Sequence, residues 1–161
     1  MNTFLRTALI ILIGATAHAA VVRPAPNFGL EGTPRASSLK SFRGQSVVLV
    51  FTRSARGRAF REMVRRLRGI YGQFATEKVL FVAAITEGPQ DVPSDIPFVL
   101  ASNPAQVASD YGITGKFGIA VIGIDGNLDL ITEKMIAAAR VKDAISNNYE
   151  TQSAARKPFA M

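Results

Sequence analysis

Two apolar runs separated by a helical stretch constrain this chain more than any other feature. Residues 46–51 read SVVLVF and residues 78–86 read KVLFVAAIT. Both are rich in β-branched residues and neither alternates with polar ones, the pattern of strands buried on both faces. Between them Phe60, Met63, Val64, Leu67, Ile70, Tyr71 and Phe74 recur at helical spacing, so an amphipathic helix is expected over 58–74. Strands that are apolar on both sides need helices on both faces of their sheet.

The rest of the chain supplies the other layers. FVLASNPAQVASDYGI reads as a short strand, a turn with Asn103 as helix N-cap, and a short helix ending near Gly112. GIAVIGIDGNLDLIT reads as a hairpin turning at Asp125 and Gly126. Thr132 is expected to start a last helix that runs to about Asn147. Upstream, the Pro-punctuated AVVRPAPNFGL is extended, with Phe28 and Leu30 as core contacts. The order β, α, β, short α, β-hairpin, α gives the fold class: a three-layer α/β/α sandwich with a mixed central sheet.

Residues 1–19 have the make-up of a cleaved secretory signal. A short region ending in Arg6 precedes an apolar run from Ala8 to Ile13, and Ala17, His18 and Ala19 offer a small-x-small cleavage site. The run is shorter than the ~20 apolar residues of a membrane span; the alternative is an uncleaved anchor. The expected organisation is a signal over 1–19, one domain over 20–149 and a flexible polar tail over 150–161. The expected location is outside the cytoplasm, periplasmic or secreted, with no transmembrane span after cleavage.

Composition enters here as an exclusion. The chain has no cysteine, and its one histidine is His18, inside the signal. Cys-His and Ser-His-Asp catalysis, Cys/His zinc sites and thiol redox chemistry are therefore all closed to the mature chain. No residue set points to a catalytic centre, a cofactor or a metal. Glu87, Asp91 and Asp95 share a Pro-rich loop but lack calcium-loop spacing, and read as a solvated loop. Asp125 reads as a turn residue.

Charge is concentrated. Between Arg53 and Arg68 lie seven arginines and one acid, Glu62, an excess of six positive charges. The remainder of the mature chain is balanced, so the basic balance is a local feature and not a general nucleic-acid signal.

Several segments together resemble the peroxiredoxin and TlpA-like branch of the thioredoxin superfamily. APNFGL followed by LKSFRGQSVVLVF is similar to that branch's entry and central strand. FVLASNPAQVASDYGITG resembles its segment ending in Tyr-Gly-Val-x-Gly, and IGIDGNL resembles its hairpin. The resemblance spans about 24–131 and implies a thioredoxin-like α/β/α sandwich. It also implies thiol oxidoreductase or peroxidase activity, and here the matching positions fail. The TlpA-like Cys-x-x-Cys falls on Arg56, Gly57, Arg58 and Ala59. The peroxiredoxin Pro, Thr and Cys fall on Arg53, Gly57 and Phe60. The branch's cis-proline position is held by Phe117, where a trans peptide is expected because a non-proline cis bond costs ~3 kcal/mol.

What remains at that junction is the start of a helix, whose free N–H groups and dipole favour an anion. Arg53, Arg56 and Arg58 add fixed charge and guanidinium forks. Ser54 and the Gly57 backbone add donors, and Lys116 and Phe117 lie in the adjacent loop. The expectation is a redox-inactive, exported binding or adaptor module taking an acidic protein segment, an anionic small molecule or an envelope surface. The alternatives are a family-type thiol oxidoreductase or antioxidant peroxidase, and a purely structural subunit. Against a site stands a solvated helix face, for which Arg61, Arg65 and Arg68 opposite the apolar stripe are natural candidates.

Overall fold

The computed structural model describes residues 23–32, 37–74 and 79–156. The expected signal, 1–19 with His18, lies outside the described residues, as do residues 157–161 of the expected tail. In chain order the elements are β1 (Gly29–Leu30), β2 (Ser37–Ser38), a 3-10 turn (Leu39–Phe42), β3 (Val47–Thr52), α1 (Arg58–Phe74), β4 (Leu80–Ile85), β5 (Phe98–Leu100), α2 (Pro104–Asp110), β6 (Phe117–Ile122), β7 (Leu128–Thr132) and α3 (Ala138–Arg156).

The main sheet has the order β5-β4-β3-β6-β7. Strand β3 is its centre, parallel to β4 and antiparallel to β6, so Val48 sits opposite both Phe81 and Val121. All six residues of β3 are buried, which is why its sequence does not alternate. Its side chains divide by pleat. Val48 and Val50 join the core built with Phe60, Met63 and Leu67 of α1 and Val141 and Ile145 of α3. Val47, Leu49 and Phe51 join a second core with Val107 of α2, Tyr111, Phe28 and Leu30. Helices α1 and α3 thus cover one face and α2 the other, the expected three layers.

Helix α1 has the expected bounds. Phe60, Met63, Val64, Leu67, Ile70 and Phe74 are all buried. Each such side chain contributes about 1.5–3 kcal/mol. With no acid in its first turn and no base in its last, the helix is held by this packing more than by its ends.

The third helix differs from expectation at both ends. Thr132 closes β7, paired with Ile119 across the sheet, and α3 begins only at Ala138. The strand ladder wins because β7 must cover β6. Thr132 instead caps the turn after the strand, its Oγ1 accepting from the N–H of Lys134 at 3.1 Å. At the other end α3 runs to Arg156, past the expected end near Asn147 and into the segment read as tail. Asn103 does hold the N-cap position of α2, but with a left-handed backbone (φ 50°) and no side-chain cap bond; Pro104 begins the helix. Asp125 is a turn residue as expected, Oδ1 accepting from the N–H of Asn127 at 3.0 Å, while Gly126 takes φ +82°.

Candidate functional site: the junction of β3 and α1

Five residues carry the chain from the centre of the sheet to the start of α1. The Thr52 hydroxyl donates to the Ser54 carbonyl at 3.0 Å and accepts from the Ser54 N–H at 3.3 Å. The Arg56 N–H donates to Ser54 Oγ at 3.2 Å, and the Gly57 N–H to the Ser54 carbonyl at 2.9 Å. A Cβ on Gly57 would lie 3.0 Å from that carbonyl oxygen, so the close approach of the backbone accounts for the glycine. Arg61 makes the first helical bond, its N–H donating to the Gly57 carbonyl at 3.1 Å. Among the described residues, nothing accepts from the N–H groups of Arg58, Ala59 and Phe60, the ordinary open donors of a helix start.

The structure separates the arginines that the sequence grouped. Arg56 and Arg58 are exposed beside the open N–H groups and form no ion pair among the described residues. Arg53 turns away: its Nε lies 3.7 Å from Glu87 Oε1, and it lines a cleft of about 370 Å³ between the ends of β3 and β4 and helix α2. Arg58 lines a different depression, of about 580 Å³, with Arg61, Glu62, Arg65 and Arg66 along the outer face of α1. Arg68 pairs through Nε with Asp95 Oδ2 at 3.0 Å. Glu87 and Asp95, two of the three loop acids considered above, are therefore both taken by arginines.

The neighbouring loop is also divided. Lys116 is exposed, and its carbonyl accepts from the Arg53 N–H at 3.4 Å, which ties the loop to the junction. Phe117 is 6 % exposed and packs in the α1–α3 core. It fills the interior, as a packing residue at the cis-proline position would, and its peptide is trans as expected; its inclusion among the binding residues is corrected, because β6 begins at Phe117 and its side chain faces the core under α1 and α3.

Two residues escaped the sequence reading. Arg66 is half-buried: Nε donates to Glu62 Oε1 at 2.8 Å and Nη1 to the Ile136 carbonyl at 2.9 Å, fastening α1 to the segment before α3. Arg65 Nη2 holds the other oxygen of Glu62 at 2.5 Å. The hydrogen bond from Arg66 foremost keeps the Glu62 carboxyl below the usual carboxylate range; burial opposes it, and the Arg65 hydrogen bond and the two guanidinium charges add to the lowering. Glu133 Oε1 accepts from the N–H groups of Thr114 and Gly115 in the Lys116 loop. The i,i+4 spacing of Glu62 and Arg66 is a local signal for their pair; the Arg66–Ile136 and Glu133–loop contacts leave none, since each joins a side chain to backbone in a distant segment.

No protein-family model matches the chain, and no curated protein matches it in sequence. Solved structures do resemble it. The thioredoxin domain of a thiol-disulfide oxidoreductase from Bacteroides vulgatus is 20% identical with a TM-score of 0.58, covering 83% of this chain and 98% of that one. A reduced 2-Cys peroxiredoxin from Plasmodium vivax is 13% identical with a TM-score of 0.60, covering 80% and 96%. An exposed lipoprotein thioredoxin from Streptococcus pneumoniae is 15% identical with a TM-score of 0.56, covering 76% and 99%. The chain has the thioredoxin-like α/β fold and carries none of the cysteines on which thiol chemistry depends.

Proposed function

We propose that this thioredoxin-fold chain is an exported, redox-inactive binding module, and that the start of α1 receives an anionic group. One observation carries the reading. Among the described residues, three helix N–H groups stand open beside Arg56 and Arg58, and neither arginine has an acidic partner. Cations at a helix N-terminus oppose the dipole by ~0.3–1 kcal/mol, and an anion placed there relieves both. Lys116 adds a third exposed cation from the loop tied to the junction. Arg53 is a secondary contributor, since Glu87 already engages it. The Ser54 and Gly57 N–H groups shape the loop rather than donate outward, being bonded within it, while the Ser54 hydroxyl accepts from the Arg56 N–H and keeps its own proton to donate. An acidic protein segment or an anionic small molecule would both supply the required group. The leader at 1–19 supports export, and so does the pneumococcal neighbour, described as an exposed lipoprotein.

The test is a titration of the purified protein with inorganic phosphate, followed by backbone amide shifts. Saturable shifts at Arg58, Ala59 and Phe60, lost in Arg56→Gln/Arg58→Gln, are expected. Unmoved amides would overturn the anion site. Thiol-dependent reduction of a disulfide or of peroxide by the same protein would overturn the redox-inactive reading.

A further inference from the structure

We propose that the outer face of α1 carries a second, longer surface that docks an acidic protein segment, with Glu62 as its built-in competitor. The proposal rests on the binding reading above and gives it a partner, sharing Arg58 with the junction and adding residues beyond it. Arg58, Arg61, Glu62, Arg65 and Arg66 line one shallow depression. It holds four guanidinium groups against one carboxylate, an excess of three positive charges. Arg58, Arg61 and Arg65 follow one another at helical spacing over about 10 Å of the axis. A segment presenting carboxylates at similar intervals would match them charge for charge.

The geometry of Glu62 is the reason to choose a carboxylate. Its two oxygens are divided between Arg65 Nη2 and Arg66 Nε, so the depression already holds one carboxylate between two guanidinium groups. The two arginines are not equivalent. Arg66 is anchored at its other end by the Ile136 carbonyl and stays in place. Arg65 is 73% exposed and, among the described residues, its side chain is bound to Glu62 alone, so it can swing to an incoming carboxylate while Arg66 keeps Glu62. Arg61 and Arg58 are exposed and form no ion pair among the described residues, so neither need give up a partner there. An anionic membrane is disfavoured because the apolar side chains of α1 are buried in the core, leaving nothing to insert. A nucleic acid would find no aromatic ring among the lining residues on which to stack a base.

The experiment measures binding of a dye-labelled synthetic peptide with glutamates at positions 1, 4 and 8 to the whole protein by fluorescence anisotropy. Arg61→Gln/Arg65→Gln keeps good helix formers on α1 and is expected to weaken binding about tenfold. Glu62→Gln is expected to strengthen it about threefold by removing the competitor. Arg56→Gln/Lys116→Gln, which weakens the junction but keeps the groove's Arg58, should leave it within about twofold. Undiminished binding in Arg61→Gln/Arg65→Gln, or weaker binding in Glu62→Gln, would overturn the proposal. So would tighter binding to phosphatidylserine vesicles or to oligothymidylate than to the peptide. Loss only in the junction variant would overturn the groove while sparing the anion site; intact peptide binding with no phosphate response would do the reverse.

Discussion

Glu133 closes the loop ahead of β6 by accepting from two successive backbone N–H groups, those of Thr114 at 2.5 Å and Gly115 at 2.6 Å. The Gly115 bond foremost, then the Thr114 bond, lowers its pKa from the ordinary 4.5, against a smaller upward effect of burial. A lowered folded-state value makes the contribution to stability fully present above the unfolded pKa and lost as pH falls through the folded one. The amide shifts of Thr114 and Gly115 are therefore expected to titrate with a midpoint below 4.5, and to stop titrating in Glu133→Gln. A midpoint at or above 4.5 would contradict the contact.

Burial foremost, with the neighbouring Asp110 charge, pushes the Tyr111 phenol up from its ordinary value and so favours the protonated donor. Its hydroxyl donates to the Pro26 carbonyl at 2.9 Å. Tyr111→Phe should cost about 0.5–1.5 kcal/mol in urea denaturation, with an unchanged m-value.

Gly57→Ala tests the shape of the junction. The added Cβ meets a backbone oxygen, which cannot rotate aside as a side chain would. A loss of roughly 1–3 kcal/mol is expected by thermal denaturation. A neutral result would show that the loop gives way.

The anion preference of the helix start can be read with a thiol placed there. In Arg56→Cys the pH profile of iodoacetamide alkylation should give a thiol pKa below the usual ~8.5. A value at or above that figure would mean that the open N–H groups and Arg58 do not favour negative charge.

Arg66 and Arg61 make a matched pair for stability. Arg66→Gln breaks the tie between Glu62 and Ile136 and should cost about 1 kcal/mol. Arg61→Gln, exposed and unpaired, should stay within ±0.5 kcal/mol by the same denaturation.

These residues also mark the limit of what the sequence disclosed. The bounds of α1 were legible because six buried residues repeat at one period on one face. The paired strands were legible because burial on both sides suppresses alternation. Thr132 misled because a Thr ahead of acidic and basic residues looks like a helix start, and only its pairing with Ile119 shows otherwise. The arginine cluster was legible as a charge run but not as a set of contacts. Glu87 and Asp95 reach Arg53 and Arg68 only after the sheet and its loops have folded. Phe117 was legible as a packing residue, but it does not belong beside Lys116 in a binding loop, because β6 starts at Phe117 and is buried along its whole length.

The position of β3 has a consequence for how the chain comes to be folded. Its partner on one side, β4, follows within the same strand–helix–strand unit, but Val48 meets Val121 only across 73 residues of chain. Such a distant pairing closes slowly, because loop entropy is lost before the contact repays it. Until β6 arrives, β3 presents an apolar, unpaired edge of the kind that invites association with other chains. A chain that leaves the ribosome N-terminus first would expose that edge for much of its synthesis. Any holdase that meets the chain before β6 has docked would find its most urgent target there.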